Sequence, residues 1–340
     1  MKGLSPGEPW QSWHQRVRQA EELRFQDPGR SLEASLAVRD QVASLGGEGK
    51  NWVFLQADAW SALGSVYRSV GELSRAEGCL QVALAFLDDL GPSVTPGIWA
   101  RFAQRASYLR CSQRRFDEAL DLNIDVVQLY MRDGMEADAR AAGVDKALFL
   151  ARSGRPREAI SVLDLCLDEI DRKQNPMAFL AAVHNMTYYR LLVAENIREE
   201  EEALVWLDQA RDLHREHPEL LEPLGVLQLQ AIAGATAIRM GRNSAGEEAL
   251  RNAYEGFLEC RALPEQMLTL LYLSHAALHR DDEAEILRLA GLIFPLLKTV
   301  SLPSVARNAV LRFLGAARSG KVTVDLIHRV ADELHQAMVV

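Results

Sequence analysis

The chain has 340 residues, 48% of them hydrophobic, and a formal net charge of −9 at pH 7. This apolar content suffices for a large core, while the acidic balance argues against DNA or RNA as the main partner, because phosphate binding needs a basic face. The start, MKGLSPGEPWQSW, lacks the apolar run of a secretory signal, and the apolar stretch at 289–297 is far shorter than the ~20 residues that span a bilayer. We therefore expect a cytoplasmic protein with no membrane partner.

In chain order, the apolar pattern predicts helices throughout and no convincing strands. A helix, a short turn and a second helix rich in Ala and Leu recur roughly every 35 to 45 residues, which is typical of an α-solenoid. The predicted organisation is a flexible leader at 1–9, an N-terminal capping helix pair at 10–50, a repeat array at 51–299 and a C-terminal helix pair at 300–340. From residue 51 onwards, the predicted pairs are 51–90, 97–132, 135–172, 176–216, 220–260, 264–299 and 303–339.

The segment at 57–83, ADAWSALGSVYRSVGELSRAEGCLQVA, carries the clearest motif. A bulky Trp60 precedes Leu-Gly and Tyr67, a turn follows at Gly71, and small residues including Ala76 return on the second helix. Small residues at Gly64 and Ala76 allow two antiparallel helices to approach closely. The segment resembles a tetratricopeptide repeat (TPR), and the chain from about 31 to 335 resembles bacterial multi-TPR proteins of the degenerate type. The resemblance implies an all-α, right-handed superhelix whose first helices line a concave groove.

In the register of that repeat, alternate turns of each first helix point into the groove, at the second, fifth, ninth and twelfth motif positions. The partner-binding residues predicted from this register are Asp58, Ser65, Arg68, Arg101, Gln104, Tyr108, Arg152, His184, Tyr188, Gln228 and Arg239. Arginines in this set suit the carboxylates of a partner segment, and the tyrosines supply flat apolar contact. For each residue alone, a solvated helix position that binds nothing is the favoured interpretation, whereas for the groove as a whole the resemblance favours binding.

These features favour a non-catalytic scaffold or adaptor that binds a protein or peptide and regulates a bacterial signalling, defence or protease partner. A regulatory TPR protein that senses a peptide or small molecule in its groove is the alternative. A metal-dependent hydrolase is the least favoured: His275 and His279, or His214 and His217, have zinc-compatible spacing, but HAALH lacks the glutamate of HExxH. No cofactor is expected. The glycine-rich segment at 46–51 departs from the phosphate-binding P-loop pattern and is interpreted as a helix cap and linker.

Three further expectations concern single features. The four cysteines are widely spaced and are interpreted as reduced core residues. The acidic run Glu199–Glu202 is interpreted as a solvated face at a helix start, with docking to a basic partner as the alternative. The last helix, predicted at 322–340, is apolar on more than one side. We expect it either to pack wholly onto the preceding pair or to take part in self-association as well.

Overall fold

A computed structural model of the chain describes residues 10–25, 28–46, 49–173, 175–216, 223–300, 302 and 304–338. Within these ranges every regular element is a helix and no strand is present, so the chain is an all-α solenoid, as the sequence predicts. No helix in the described ranges is both long and apolar enough to cross a membrane. The predicted leader at 1–9 lies outside the described residues.

The chain divides into two compact units, which meet in sequence between Gly154 and Arg155. The helices of unit 1 are α1 (Trp10–Glu22), α2 (Pro28–Ser44), α3 (Lys50–Ser69), α4 (Leu73–Leu90), α5 (Pro96–Ser112), α6 (Phe116–Arg132) and α7 (Glu136–Arg152). The helices of unit 2 are α8 (Pro156–Glu169), α9 (Pro176–Val193), α10 (Ile197–Glu216), α11 (Pro223–Arg239), α12 (Asn243–Glu259), α13 (Leu263–His279), α14 (Glu283–Thr299), α15 (Ser304–Arg318) and α16 (Val324–Met338). The predicted domain boundaries at 50/51 and 299/300 stay predictions.

Unit 1 is built from two layers of helices. In the first layer α1, α3, α5 and α7 are successive neighbours, and in the second layer α2, α4 and α6 pack against them. We call the side of the first layer that faces away from the second layer the first-helix face. The same term is used below for the corresponding surface of unit 2.

The α3–α4 hairpin has the packing that the sequence predicts for 57–83. Ala76 and Leu80 are buried together, with the half-buried Tyr67 against them. A Cβ added at Gly64 would lie 3.3 Å from the carbonyl oxygen of Ala76, so the two helices approach each other closely at this point. The close approach positions the residues of α3 that lie on the first-helix face.

Several hairpin turns use a residue with positive φ, but not always glycine. Gly71 has φ of 80° between α3 and α4, as the predicted turn requires. The turn after α5 instead contains Arg114 with φ of 61°, and the turn after α13 contains Asp281 with φ of 53°. Side chains other than glycine are uncommon in this conformation. The turn geometry therefore persists where the sequence motif has degenerated.

Unit 2 repeats the two-layer arrangement until its last pair. In one layer α9, α11 and α13 are successive neighbours, and α10, α12 and α14 pack against them. The last pair differs, because α15 packs on α14 whereas α16 packs on α13. The final helix thus continues the first layer, and its apolar residues Ile327, Val330 and Leu334 are buried there. This packing accounts for the apolar character of α16; self-association stays a prediction.

A glycine pair brings α11 and α12 together in unit 2. A Cβ added at Gly246 would lie 2.7 Å from the carbonyl oxygen of Gly234 and 2.6 Å from Cγ1 of Ile238. Both distances are below ordinary van der Waals contact. Glycine stands at 246, where the motif usually has alanine, because this hairpin is packed more tightly than the α3–α4 hairpin.

The interpretation of all four cysteines as core residues is wrong for Cys260. Cys79, Cys111 and Cys166 are buried, whereas Cys260 is exposed. Cys260 directly follows the last residue of α12, where the chain turns at the surface. The other three cysteines lie within helices that pack against neighbours.

The acidic run at 199–202 is not uniformly solvated. It lies in the first turns of α10, as predicted, but Glu200 is fully buried and its carboxylate pairs with Arg242. Glu199 caps the helix start, since its carboxylate accepts a hydrogen bond from the backbone N–H of Glu195 at 2.9 Å. The run therefore serves helix capping and internal ion pairing in unit 2.

Candidate binding face of the first helices

The predicted groove residues divide between the two units. Those of unit 1 are Asp58, Ser65, Arg68, Arg101, Gln104, Tyr108 and Arg152, on α3, α5 and α7. Those of unit 2 are His184, Tyr188, Gln228 and Arg239, on α9 and α11. Their role in binding remains a prediction, while their contacts differ markedly from residue to residue.

A buried ion-pair network crosses the first-helix face of unit 1 around Arg105. Its guanidinium donates through Nη2 to Oε2 of Glu21 at 2.7 Å and through Nη1 to Oδ1 of Asp58 at 3.1 Å. Nη1 also donates to Oγ of Ser61 at 2.6 Å. On the far side of Asp58, Nδ1 of His14 lies 2.8 Å from Oδ2. Three consecutive first helices, α1, α3 and α5, are thereby joined by charge.

Burial and pairing act in opposite directions on these groups. Burial alone would raise the pKa of Asp58, but the hydrogen bond with His14 and the charge of Arg105 hold it well below its ordinary value. Burial likewise acts to lower the pKa of Arg105, and Glu21 and Asp58 reverse this and raise it. Each charge is stabilised by its partners, so removing Arg105 takes away the guanidinium that Glu21 and Asp58 share.

Ser65, which the sequence places in the groove, supports the same network. Its side chain is buried and hydrogen-bonds to Glu21, which helps to lower the pKa of that carboxyl against the effect of burial. Asp58 and Ser65 are therefore committed to internal contacts. Neither presents an unused polar group to a ligand.

A second network centres on Asp145 of α7. The hydroxyl of Tyr108 donates to Oδ1 of Asp145 at 2.5 Å, and Nε2 of Gln104 donates to Oδ2 at 2.7 Å. Tyr130 donates to Oε1 of Gln104 at 3.2 Å and extends the network to α6. Burial raises the pKa of Asp145 despite these two hydrogen bonds. The amide of Gln104 and the hydroxyl of Tyr108, both predicted groove residues, therefore link α5 to α7.

Arg68 and Arg152 flank Tyr108 without a carboxylate partner among the described residues. Arg68 is 8% exposed, and its Cζ lies 5.3 Å from the centroid of the Tyr108 ring. Its Nη1 donates to Oγ of Ser112 at 3.4 Å. Nη1 of Arg152 donates to Sγ of Cys111 at 3.6 Å. In both guanidiniums Nε is buried and has no hydrogen-bond partner.

Arg101 differs from Arg68, Arg105 and Arg152 because it is exposed. It lies on α5 two turns before Tyr108, in the register predicted for the groove. An exposed guanidinium at this position is available to a partner. Arg101 and Tyr108 together are the residues of α5 that best match the predicted role.

In unit 2, three predicted groove residues are engaged with neighbouring first helices. Nε2 of His184 lies 3.2 Å from the carbonyl oxygen of Gly225, and burial lowers its pKa. Gln228 donates to Oε1 of Glu265 at 3.0 Å. Arg239 donates through Nη2 to the carbonyl oxygen of Leu191 at 2.8 Å, near the end of α9. These contacts join α9, α11 and α13.

Tyr188 meets the last helix of unit 2. The centroid of its ring lies 5.8 Å from that of His335 on α16, nearly perpendicular, and the ring of Tyr272 lies 6.1 Å from His335 on another side. Burial lowers the pKa of His335 to about 4. The first-helix face of unit 2 is therefore aromatic at this point and covered by the protein's own α16.

The histidines considered for zinc form a ring cluster. His275 stacks on His279 with centroids 4.8 Å apart and meets His328 of α16 edge-on at 5.0 Å. Burial, followed by the charges of its two histidine neighbours, lowers the pKa of His275 to about 4. Among the described residues no group of three or more His, Cys, Asp or Glu side chains is arranged to hold a metal ion. The alternative pair includes His217, which lies outside the described residues.

Sequence reasoning missed the residues that organise unit 1, namely His14, Glu21, Arg105 and Asp145. The register used for the groove selects Gln104 and passes over its neighbour Arg105. A signal was present, because Arg101, Arg105 and Tyr108 follow helical spacing on one side of α5. The pairing of Arg105 with acids on α1 and α3 spans 84 and 47 residues and is not visible in local sequence.

Residues 59–91 match the family model of the tetratricopeptide repeat. These residues lie in the α3–α4 hairpin, whose close helix contact at Gly64 is described above. This segment is therefore a tetratricopeptide repeat, and further antiparallel hairpins such as α5–α6 and α11–α12 follow it. Comparison with curated proteins finds no match.

Solved structures similar to this chain include Rap proteins and an aspartyl phosphate phosphatase. A Rap protein complexed with competence and sporulation factor has a TM-score of 0.67 at 10% identity, covering 96% of this chain and 87% of that one. The Rap conjugation gene regulator of plasmid pLS20, in complex with the Phr* peptide, has a TM-score of 0.54 at 12% identity, with coverage of 98% and 99%. Aspartyl phosphate phosphatase F from Bacillus subtilis has a TM-score of 0.57 at 10% identity, with coverage of 99% and 97%. At these identities the likeness shows the fold.

Proposed function

We propose that this TPR protein is a non-catalytic regulator that binds a peptide or an extended protein segment on the first-helix face of unit 1. Binding stabilises one arrangement of the repeats and so controls a bacterial signalling, defence or protease partner in the cytoplasm. The observation that carries the proposal is the alignment of Arg101, Tyr108, Arg68 and Arg152 on three neighbouring first helices. Two of the similar structures are complexes with competence and sporulation factor and with the Phr* peptide, which supports a peptide as the ligand class.

The chemistry of this face suits a polypeptide better than a nucleic acid. Arg101 is exposed, and the ring of Tyr108 provides flat apolar surface beside two further guanidiniums. Guanidiniums pair well with carboxylates and with backbone carbonyl groups. The chain as a whole is acidic, with a net charge of −9, so its overall field repels a polyanion such as RNA.

The proposal is tested by selecting peptides on the purified full-length chain. A mixture of random N-acetylated pentapeptides is passed over the immobilised protein, and the Kd of each retained peptide is measured in solution. We expect the double variant Arg101→Ala, Tyr108→Phe to weaken binding about tenfold or more, because it removes an exposed guanidinium and the hydrogen bond to Asp145 that orients the Tyr108 ring.

A matched control is available on the second layer of unit 1. Met131 and Arg132 of α6 are both exposed, so Met131→Ala with Arg132→Ala alters a guanidinium and an apolar side chain away from the proposed face. We expect this variant to bind the selected peptides like the wild type. Because Tyr108→Phe also removes a buried hydrogen bond, each variant is first checked for native helix content by circular dichroism. Equal loss of binding in both variants, or no loss in the first, would reject the first-helix face of unit 1 as the binding surface.

A further inference from the structure

On the first-helix face of unit 1, Arg105 has carboxylate partners, whereas Arg68 and Arg152 have none among the described residues. Arg105 contacts two carboxylates, those of Glu21 and Asp58, within 3.1 Å. Among the described residues, the hydrogen bonds of Arg68 and Arg152 reach a hydroxyl at 3.4 Å and a thiol at 3.6 Å, and Arg68 also lies over the Tyr108 ring. Uncompensated buried charge is costly, so this difference within one face needs an explanation.

The acids nearby are already used. Glu21 and Asp58 are held by Arg105, and Asp145 accepts hydrogen bonds from Tyr108 and Gln104. The described contacts of these three carboxylates include none with Arg68 or Arg152. The guanidiniums of Arg68 and Arg152 therefore lie near the Tyr108 ring, and neither has a carboxylate partner among the described residues.

Two other guanidiniums act on Arg68. Burial lowers the pKa of Arg68 to about 10; Tyr108 opposes this shift, and the charges of Arg24 and Arg152 add to it. The charges of Arg68 and Arg152 both act on the Tyr108 hydroxyl as well, so the guanidiniums are close enough to influence one ring. An oxyanion bound by both guanidiniums would relieve the repulsion between them.

From this geometry we infer that Arg68 and Arg152, beside the ring of Tyr108, form a subsite for a carboxylate of the bound polypeptide. The guanidinium fork matches a planar carboxylate and donates charge-assisted hydrogen bonds. The Tyr108 ring packs against the apolar atoms next to that carboxylate. This inference rests on the proposed function and adds to it the chemical group that is recognised.

The subsite itself is tested with acetate as the carboxylate probe. The melting temperature of the full-length chain is measured during titration with sodium acetate against sodium chloride at matched ionic strength. We expect a saturable rise in acetate alone, because a ligand that binds only the folded state stabilises it. The variant Arg68→Gln should lose the rise. The control Arg132→Gln, which removes an exposed guanidinium of α6, should keep it.

Absence of a saturable difference between acetate and chloride in the wild type, or an undiminished rise in Arg68→Gln, would overturn the subsite. Neither result touches the proposed function, which is judged by the Arg101→Ala, Tyr108→Phe comparison with selected pentapeptides. Conversely, a specific acetate effect would stand even if that comparison failed. The failures of the two proposals are thus distinguishable.

Two further experiments distinguish a polypeptide carboxylate from an inorganic anion as the ligand of the subsite. A selected pentapeptide is compared with its form in which every carboxylate is converted to the amide, and sodium phosphate is titrated in place of acetate. We expect amidation to weaken binding about tenfold, with the amidated and free peptides binding Arg68→Gln equally. If amidation has no effect on the wild type while phosphate stabilises it more than acetate, the subsite belongs to an inorganic anion and the assignment to a polypeptide carboxylate is wrong.

Discussion

The first-helix faces of the two units use equivalent helix positions for different chemistry. In unit 1 the face is charged, with Arg105 fully paired and Arg68 without a carboxylate. In unit 2 the face is aromatic, and His335 of the protein's own α16 lies against Tyr188 and Tyr272. The repeat therefore determines where side chains are presented. Counter-charges and burial then decide whether a face is complete by itself or needs a ligand.

The largest expected effect comes from breaking the paired part of the charged face. Arg105→Gln removes the guanidinium that Glu21 and Asp58 share in a largely buried site and should reduce the free energy of unfolding by about 3–5 kcal/mol. Chemical denaturation followed by circular dichroism measures the loss. The control Arg115→Gln breaks an exposed pair with Glu118 and should cost no more than about 1 kcal/mol. Similar losses in the two variants would show that the buried network is not the stabilising feature of unit 1.

The aromatic face of unit 2 predicts a dependence of stability on pH. The pKa of His335 is lowered from 6.5 to about 4 in the folded protein. At pH values between these two, this histidine binds more protons in the unfolded chain than in the folded protein. The stability that its neutral form contributes is therefore complete above about pH 6.5 and is lost as the pH falls towards 4.

His335→Phe keeps a ring against Tyr188 and removes this titration. Between pH 7 and pH 4.5 the wild type should lose on the order of 2 kcal/mol more stability than this variant. The control Tyr272→Phe keeps His335 and should retain the wild-type slope. Denaturation curves across this range provide the measurement. Parallel curves for the wild type and His335→Phe would contradict the burial of this histidine.

A smaller change in the free energy of unfolding, of opposite sign, is expected at Arg68, which has no carboxylate partner among the described residues. Without ligand, Arg68→Gln removes a buried charge that has no carboxylate partner, so it should leave stability unchanged or raise it by about 1 kcal/mol. The same denaturation experiment detects this. A loss as large as that of Arg105→Gln would mean that Arg68 is neutralised within unit 1, and the contrast between the two arginines would disappear.

Much of the fold follows from the sequence because its determinants are local. The spacing of Gly64, Gly71 and Ala76 predicts a close hairpin with a left-handed turn residue, and α3 and α4 have that form. Later pairs such as α5–α6 and α13–α14 could be placed by phase alone, even where Arg114 or Asp281 stands in the turn. The all-α class required only that apolar spacing recur along the chain.

The rest could not be predicted, because it depends on contacts between distant residues. Nothing in the local sequence of α16 shows that it packs on α13 and continues the first layer. Nor does the pattern around Asp58 show that His14 and Arg105 neutralise it, while Arg68 has no carboxylate partner among the described residues. The sequence could therefore select residues of the candidate face without separating those that stabilise the fold from those left for a ligand.

The most direct test is hydrogen exchange on the full-length chain with and without a saturating concentration of a selected pentapeptide. If the first-helix face of unit 1 is the binding surface, amide protection should increase along α3, α5 and α7 and stay unchanged along α2, α4 and α6. Protection confined to α2, α4 and α6, or found only in unit 2, would contradict the account.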